Sequence, residues 1–543
     1  MATITKNVCV IGSGFGGGVS ALRMAEAGQS VVVLEQGHFW DSVINQAWSS
    51  MGVSDVKTFE QKNGDFNYWM DIFNFAAGAN LLTNSIYAVI SGRGVGGGGL
   101  VYSGVSLRAP SGVFSDAPWP QAIDRAALDP YYTKAENQLQ VNQFGWGDVG
   151  YKDGAFAWAA KNAGVTVNPH PSIIDNHVCG SMGWCNNGCL RGAKHSADRQ
   201  YMKPAMQAGV EVLTGAMALE VAPLSGGKWQ VTYSQGDSST PNLLWTGTTS
   251  TVVADQVFIC AGAVNSAAIL LRSARNLPGG VSSQTGKNLS RDGDGLIIGI
   301  LPDDLPASVE GVTFSGTVSS NIGTFDLPDM TIGPVDGVTC FNYMFEPPPG
   351  FGPDWPKFTL QPVRMLPMAA ALTLDPAGAL NPSGNMETFG VGAKHLMQKY
   401  GSRMLQIGTM GMDGMDGEVT LTPAGTPTVS FTDSQQTINC RNAQLAGVKQ
   451  IIENGAGGKV LPIWNQYRPG DGYTIHPLGS CRMADSVIDG VVRDDGAVWN
   501  PSGGVYNGLH VLDCSVMSSP IAVNTSLTTA ALAERALALI TGS

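Results

Sequence analysis

The sequence predicts an α/β domain joined to an α+β domain, the second built on a large, mostly antiparallel sheet. Three observations predict it. The chain opens on a strand, a glycine-rich turn, a helix and a second strand within residues 7–37. Two further strand-to-helix crossovers follow, one around residues 257–271 and one at the C-terminus. Between them, residues 275–470 turn rich in Gly, Pro and Thr, with short alternating runs such as 358–360 and 419–421.

Each element has a local cause. In NVCVIGSGFGGGVSALRMAEAGQSVVVLEQG, apolar residues 8–11 read as a buried strand. Gly12, Gly14 and Gly17 then fit G-x-G-x-x-G, with Phe15, Gly16 and Gly18 between and after them. Residues 19–27 carry Val19, Leu22 and Ala25 or Ala27 along one helical face, Gly28 ends the helix, and residues 31–34 form the second strand up to Glu35. Gly12 lets the chain turn tightly, Gly14 lets a pyrophosphate approach the backbone, and Gly17 lets the helix pack close to the sheet. The first helical turn presents unpaired N–H groups and a positive dipole end. Glu35 is placed to accept from an adenosine ribose and disfavours a 2′-phosphate. The segment reads as a Rossmann-like dinucleotide site, a plain βαβ turn being the alternative.

Residues 38–90 are aromatic and irregular (Phe39, Trp40, Trp48, Phe59, Phe66, Tyr68, Trp69, Phe73, Phe75), and read either as inter-domain core or as a lid and cavity wall. GRGVGGGGLVYSG at 92–104 lacks the Lys-Ser/Thr ending of an ATP-type loop. It reads as backbone that can lie flat against a planar ligand, or as a surface loop. Asp129 with Pro130 predicts a helix start ahead of Tyr131, Tyr132 and Ala135. Strand residues 257–260 run into Gly262 and a helix, Pro347, Pro348 and Pro349 mark a turn or edge, and strand residues 510–512 lead through Asp513 and Asn524 to a closing helix capped by Thr525 or Ser526.

A chain of 543 residues exceeds one simple core, so two joined domains are expected. With 43% hydrophobic and 14% charged residues it reads as a soluble globular protein, and a net charge of −12 without any basic run argues against nucleic acid. No apolar stretch reaches the ~18 residues of a membrane helix. The first strand begins almost at once, with no signal-peptide pattern, which favours the cytoplasm; a trimmed secreted chain would look the same.

Of seven histidines, His476 stands out in YTIHPLGSCRMADS, before a Pro and a glycine and ahead of the last strand, whereas His510 reads as structural and His170, His177 and His195 lack metal spacing. The nine cysteines read mostly as buried thiols; Cys179, Cys185 and Cys189, in CGSMGWCNNGCLRGAK, leave a metal, a local disulfide and structural thiols open.

These motifs together resemble the glucose–methanol–choline family of FAD-dependent oxidoreductases. The marks are the first fingerprint with Glu35, GRGVGGGG at 92–99, AGA…S…LL at 261–271, HPLGSCRM, and LDCSV…N…ALAER near the end. VSALR at 19–23, GRGVGGG and HPLG are most similar to its cholesterol-oxidase-like branch, and long-chain alcohol oxidases share these features. The resemblance implies FAD as the cofactor, an apolar alcohol and O2 as substrates, and H2O2 as a product. A sterol, or a dehydrogenase passing electrons to another acceptor, is the alternative.

It also implies that His476 and Asn524 are catalytic. Cofactor contacts would come from Gly12, Gly14, Phe15, Gly16, Gly17, Glu35, Gln36, Gly94, Gly97, Gly98, Gly262, Asp513, Cys514, Asn524 and Thr525. Residues 1–40, 80–120, 205–300 and 470–543 would make the FAD-binding domain, and 41–79, 121–204 and 301–469 the substrate domain and lid. The chain departs from the family at Asn524-Thr525, where Asn-Pro is common. It departs from cholesterol oxidases at Tyr102-Ser103-Gly104-Val105, where they have Asn-Gly-Gly-Met. The glutamate that those enzymes use for steroid isomerisation falls at Met344, with Glu346 two residues on.

Overall fold

The computed structural model describes residues 3–37, 39, 70–73, 87–115, 118–145, 151–165, 169–179, 189, 192–236, 248–302, 322–325, 338–343, 404–461 and 472–542. Most of the aromatic 38–90 segment, the prolines at 347–349, the 358–360 run, Met344, Glu346 and Cys185 lie outside these residues.

The opening strand β1 (Thr3–Ile11), helix α1 (Phe15–Glu26) and strand β2 (Val31–Glu35) form the expected βαβ unit, with α1 beginning earlier than its apolar spacing suggests. Four apolar residues at the end of β1 and all five of β2 are buried, as strands covered on both faces require. Five strands run parallel in the order Glu211–Thr214, β2, β1, Thr248–Ile259, Val505–Val511, and the antiparallel Ala497–Trp499 closes one edge. The order reverses between β1 and Thr248–Ile259, the switch point beside which α/β sheets bind ligands at their carboxyl ends. Gly12, Glu35, Gly262 and Asp513 each sit at or just past the carboxyl end of one of these strands.

The second sheet is antiparallel, in the order Ile322–Phe325, Val338–Tyr343, Met404–Met410, Gly295–Ile300, Lys459–Leu461. Ile297, Leu405 and Ile407 bury one face against Phe156, Val448 and Ile452 from flanking helical segments. Strand Gly417–Leu421 contains the 419–421 run. A separate small sheet pairs Gly472–Thr474 in parallel with Tyr87–Gly92, the strand that feeds the second glycine loop. Among the described residues no helix is long and apolar enough to cross a membrane.

Two helix starts differ from the sequence reading. The helix Arg125–Leu139 starts at Asp124, whose carboxylate accepts from the Ala127 N–H at 2.7 Å, and Pro130 lies inside it. Asp129 is drawn away from capping by Arg108 at 2.7 Å and Arg125 at 2.8 Å. This helix, which the sequence places with the second domain, packs on the closing helix, Tyr132 Oη lying 2.9 Å from Thr528 Oγ1. The closing helix Thr525–Thr541 has Asn524, not Thr525 or Ser526, at its N-cap, and no side chain caps it.

His510 is structural: it lies beside Phe258 on the neighbouring strand, with stacked rings 5.1 Å apart. Burial depresses its imidazole to about 4. An unfolded imidazole titrates near ~6.5, so the unfolded chain takes up the proton first; this contribution is complete above pH ~6.5 and is lost as pH falls toward 4. A shift of that size is worth of order 3 kcal/mol. His510→Phe keeps the stack, although it loses a bond to the Asp495 backbone. We expect its melting temperature to fall less between pH 7 and 4.5 than that of the wild type. Parallel pH profiles in differential scanning calorimetry would assign the acid loss to other groups.

Candidate active site

The first part of the site is a cradle of backbone. Gly12 has φ +92°, and a Cβ there would collide with the Cys260 carbonyl oxygen. A Cβ on Gly16 would overlap the Leu512 carbonyl, and one on Gly17 the Gly12 carbonyl. These glycines let three strand ends converge. Gly14 differs: its backbone is extended and a Cβ would meet only Gly97 Cα, at 3.9 Å. Gly98 has open space at the same test. Gly14 and Gly98 thus have room for an added group, although the two glycine loops touch at Gly97, where a Cβ would lie 2.8 Å from Gly14 Cα.

Helix α1 opens at Gly14 with no capping side chain and no acid in its first turn. Its first internal bond runs from Gly18 N–H to Gly14 C=O, which leaves the amides of Phe15, Gly16 and Gly17 as the helix's unpaired donors. Uncapped amides at a positive dipole end, walled by glycine, fit a pyrophosphate. The residues present thus fit the dinucleotide expected of them.

Buried carboxylates tie the cradle together. Glu35 accepts from Ser13 Oγ at 2.5 Å, Ser13 N–H at 3.2 Å, Gly37 N–H at 2.9 Å and Gly94 N–H at 3.2 Å. Burial raises its pKa against the lowering effect of those bonds. Glu35, with Gln36 next in sequence, therefore locks the first glycine loop to the second, beyond the ribose contact read from its position. Asp513 accepts from Gly262 N–H and Ser515 N–H at 2.8 Å each and from Ser266 Oγ at 2.5 Å, and burial raises it likewise. Its neighbour Cys514 is a thiol pushed up by burial. Lys194, which closes the cysteine-rich segment, is buried and donates to the carbonyls of Leu100 at 3.1 Å and Tyr102 at 2.9 Å, holding the end of the second glycine loop.

The second part of the site is a buried polar line. His476 follows the strand Gly472–Thr474 by two residues, and the next stretch runs along the end of the parallel sheet, with Gly479 N–H on Cys514 C=O at 3.2 Å and Cys481 N–H on Ser515 C=O at 2.8 Å. That ladder carries His476 to the carboxyl ends of the parallel strands, where Asn524 also arrives. Asn524 donates its amide N–H to His476 Nε2 at 2.9 Å. On the other side of the ring, Nδ1 lies 2.8 Å from Asp294 Oδ1. All three side chains are buried. Asn524 Oδ1 is buried without a hydrogen-bond partner among the described residues. An orphaned acceptor costs about 1–3 kcal/mol, which marks a place where a ligand donor belongs.

The structure thus brings His476 and Asn524 together and places the other sequence-predicted residues along the cradle. Asp294 was missed. Its only signal was RDGDG at 291–295, two acids around a glycine just before an apolar strand. Of the cysteine cluster, Cys179 and Cys189 are buried with Phe144, Ile174 and Ala193, and Cys189 Sγ accepts from the Lys194 N–H at 3.2 Å. Among the described residues no group of three His, Cys, Asp or Glu could hold a metal.

Comparison with known proteins gives two family matches, both described as GMC oxidoreductase, over residues 36–292 and 414–533. The chain is 24% identical to a cholesterol oxidase of Acinetobacter baumannii, across 98% of this chain and 93% of that protein. It is 25% identical to a cholesterol oxidase of Mycobacterium tuberculosis, across 98% and 90%. It is 24% identical to the long-chain-alcohol oxidase FAO3 of Arabidopsis thaliana, across 97% of this chain and 66% of that protein.

The two kinds of glycine can be separated. Gly16→Ala forces two backbone segments apart and should cost at least about 1–3 kcal/mol of stability. Gly14→Ala meets no clash with protein and should fold with a near-normal melting temperature, yet bind FAD at least roughly tenfold more weakly, about 1.4 kcal/mol. Flavin titration followed by fluorescence, with thermal melts of both apoproteins, checks this; unchanged FAD affinity in Gly14→Ala would remove the cradle from cofactor binding.

Proposed function

The chain belongs to the GMC oxidoreductase family, whose members are FAD-binding flavoproteins, and from that premise we propose that it oxidises an apolar alcohol. A long-chain aliphatic alcohol becomes the aldehyde, and O2 becomes H2O2, so that RCH2OH + O2 gives RCHO + H2O2. The observation that supports this best is the buried line Asp294–His476–Asn524 at the carboxyl ends of the parallel strands.

Oxidation of a carbinol removes a proton from oxygen and a hydride from carbon. FAD, when bound, supplies the hydride acceptor. The residues of this chain handle the proton and the geometry. His476 Nε2 is the basic nitrogen, since Nδ1 is engaged by Asp294. Imidazole is the side chain chemically suited to proton transfer near neutrality. Asn524 donates to that nitrogen in the resting arrangement; an arriving alcohol would take the place of that bond, its hydroxyl donating to Nε2 while its oxygen accepts the Asn524 N–H. Burial excludes water, and fixed placement of base and hydroxyl can supply about 7 kcal/mol or more of the barrier reduction.

The departure at Tyr102-Ser103-Gly104-Val105 from the cholesterol-oxidase pattern that the resemblance implies favours a long-chain alcohol. A sterol is the second reading, favoured by the cholesterol oxidases matching along 90% or more of their own length.

The FAD-loaded protein should be yellow and should bleach without oxygen when a fatty alcohol is added, with peroxide formed on aeration. Bleaching by none of a panel of aliphatic, aromatic and steroid alcohols would defeat the alcohol reading; bleaching without peroxide would move it to another electron acceptor. His476→Ala should keep FAD and lose turnover by roughly 10²–10⁴-fold.

A further inference from the structure

We propose that Asp294 is a positioning residue that fixes His476 as its Nδ1–H tautomer, and that the turn carrying Asp294 aligns both halves of the catalytic pair. The proposal rests on the alcohol-oxidation reading for its consequence, but not for its geometry.

The two oxygens of Asp294 are divided between backbone and ring. Oδ2 accepts from Thr474 Oγ1 at 2.9 Å, Ile475 N–H at 2.8 Å and His476 N–H at 3.1 Å. Oδ1 is left for the imidazole at 2.8 Å. With three donors on one oxygen, the side chain cannot turn. A carboxylate accepts at both oxygens and donates at neither, so the ring nitrogen facing it must carry the hydrogen. The remaining nitrogen, Nε2, then holds the lone pair, in agreement with the Asn524 amide donating to it. The base is thus set on the nitrogen that faces Asn524.

The same turn reaches the other partner. Asp292, two residues earlier, accepts on Oδ1 from Ile521 N–H at 2.7 Å and Ala522 N–H at 2.9 Å. Ala522 sits at φ +54°, a conformation that costs a non-glycine residue about 1 kcal/mol or more unless its surroundings hold it. These bonds fix the segment that leads directly to Asn524. The turn is itself braced. Asp413 accepts from Ser290 Oγ at 2.6 Å and Arg291 N–H at 2.9 Å, and Arg291 is paired with Asp433 at 2.5 Å and Asp416 at 3.3 Å. Residues 290–294 therefore set the separation and orientation of two catalytic side chains that are 48 positions apart in the chain.

Asparagine at 294 gives a specific reversal. Its Oδ1 would stay with the three backbone-side donors, and its NH2 would face the ring. His476 Nδ1 would become an acceptor and Nε2 would carry the hydrogen, leaving no base toward the hydroxyl. The test uses protein carrying ¹⁵N-histidine, as apoprotein and as FAD holoprotein, at about pH 8 where an ordinary imidazole is neutral. The His476 signal is identified by its absence in His476→Ala. Long-range ¹H–¹⁵N correlation should show the Nδ1–H tautomer in the wild type and the Nε2–H tautomer in Asp294→Asn. With an alcohol that bleaches the wild type, Asp294→Asn should lose roughly 10²–10⁴-fold in kcat, with KM changed far less, while FAD stays bound.

An Nε2–H tautomer in the wild type overturns the proposal, and needs no variant to fold. So does an Asp294→Asn protein that switches tautomer but keeps its kcat. If no alcohol bleaches the wild type, the reading of function fails, while the tautomer result still decides the role of Asp294.

Discussion

The structure depends on matching buried carboxylates to backbone amides. A carboxylate taken out of water must recover its hydrogen bonds from the protein, or its burial is prohibitively unfavourable. Four acids near the carboxyl ends of the parallel strands accept from backbone amides, and each fastens a loop, although Asp292 Oδ2 is buried with no partner among the described residues. Glu35 joins the two glycine loops, Asp513 fastens the 262–266 helix start, Asp292 holds 521–522, and Asp294 holds 474–476. The two glycine loops carry little side-chain bulk with which to hold one another by packing. Charged hydrogen bonds, each worth about 1.5–3 kcal/mol, take the place of that packing. Asp292 shows the strain of such crowding: burial, with Asp294 and Asp413 near, pushes its carboxyl well above the ordinary range.

The division between loops and braces explains what was legible in the sequence. The glycine fingerprint is local: its turn, helix and acid lie within thirty residues or so, and each glycine answers to a steric demand that spacing alone reveals. His476 and Asn524 were readable from their surrounding motifs. Asp294 was not, because its partner lies 182 positions away and RDGDG reads equally as a surface turn. Lys194 closes the cysteine-rich segment, and its two carbonyl partners come from a segment some ninety residues earlier. Long-range pairing of polar groups leaves no periodicity for a sequence reading to find.

The misplaced helix starts have the same origin. Asp129-Pro130 carries every local mark of an N-terminus, yet Arg108 and Arg125 claim the carboxylate, and Asp124 caps instead. Thr525 and Ser526 are good caps by type, but the helix begins one residue earlier at Asn524. Asn is among the best capping residues, and capping is worth about 1 kcal/mol. Here the side chain gives that up and turns to His476. A helix that forgoes its own cap in favour of a contact with an imidazole is a case of stability yielding to site geometry.

Three short ladders bracket the imidazole. Gly472–Thr474 pairs with the strand that enters the second glycine loop, Ser290 pairs with Leu478, and 479–483 runs along 514–516. A displacement of the antiparallel sheet relative to the parallel one would therefore move His476 against the cradle directly. The acids resist that displacement from both sides, since residues 290–294 bond to the His476 segment and to the segment before Asn524 together. On the proposed reading, cofactor binding falls to local structure and proton handling to the junction held by one braced turn, so that the choice of alcohol would fall to residues outside that turn.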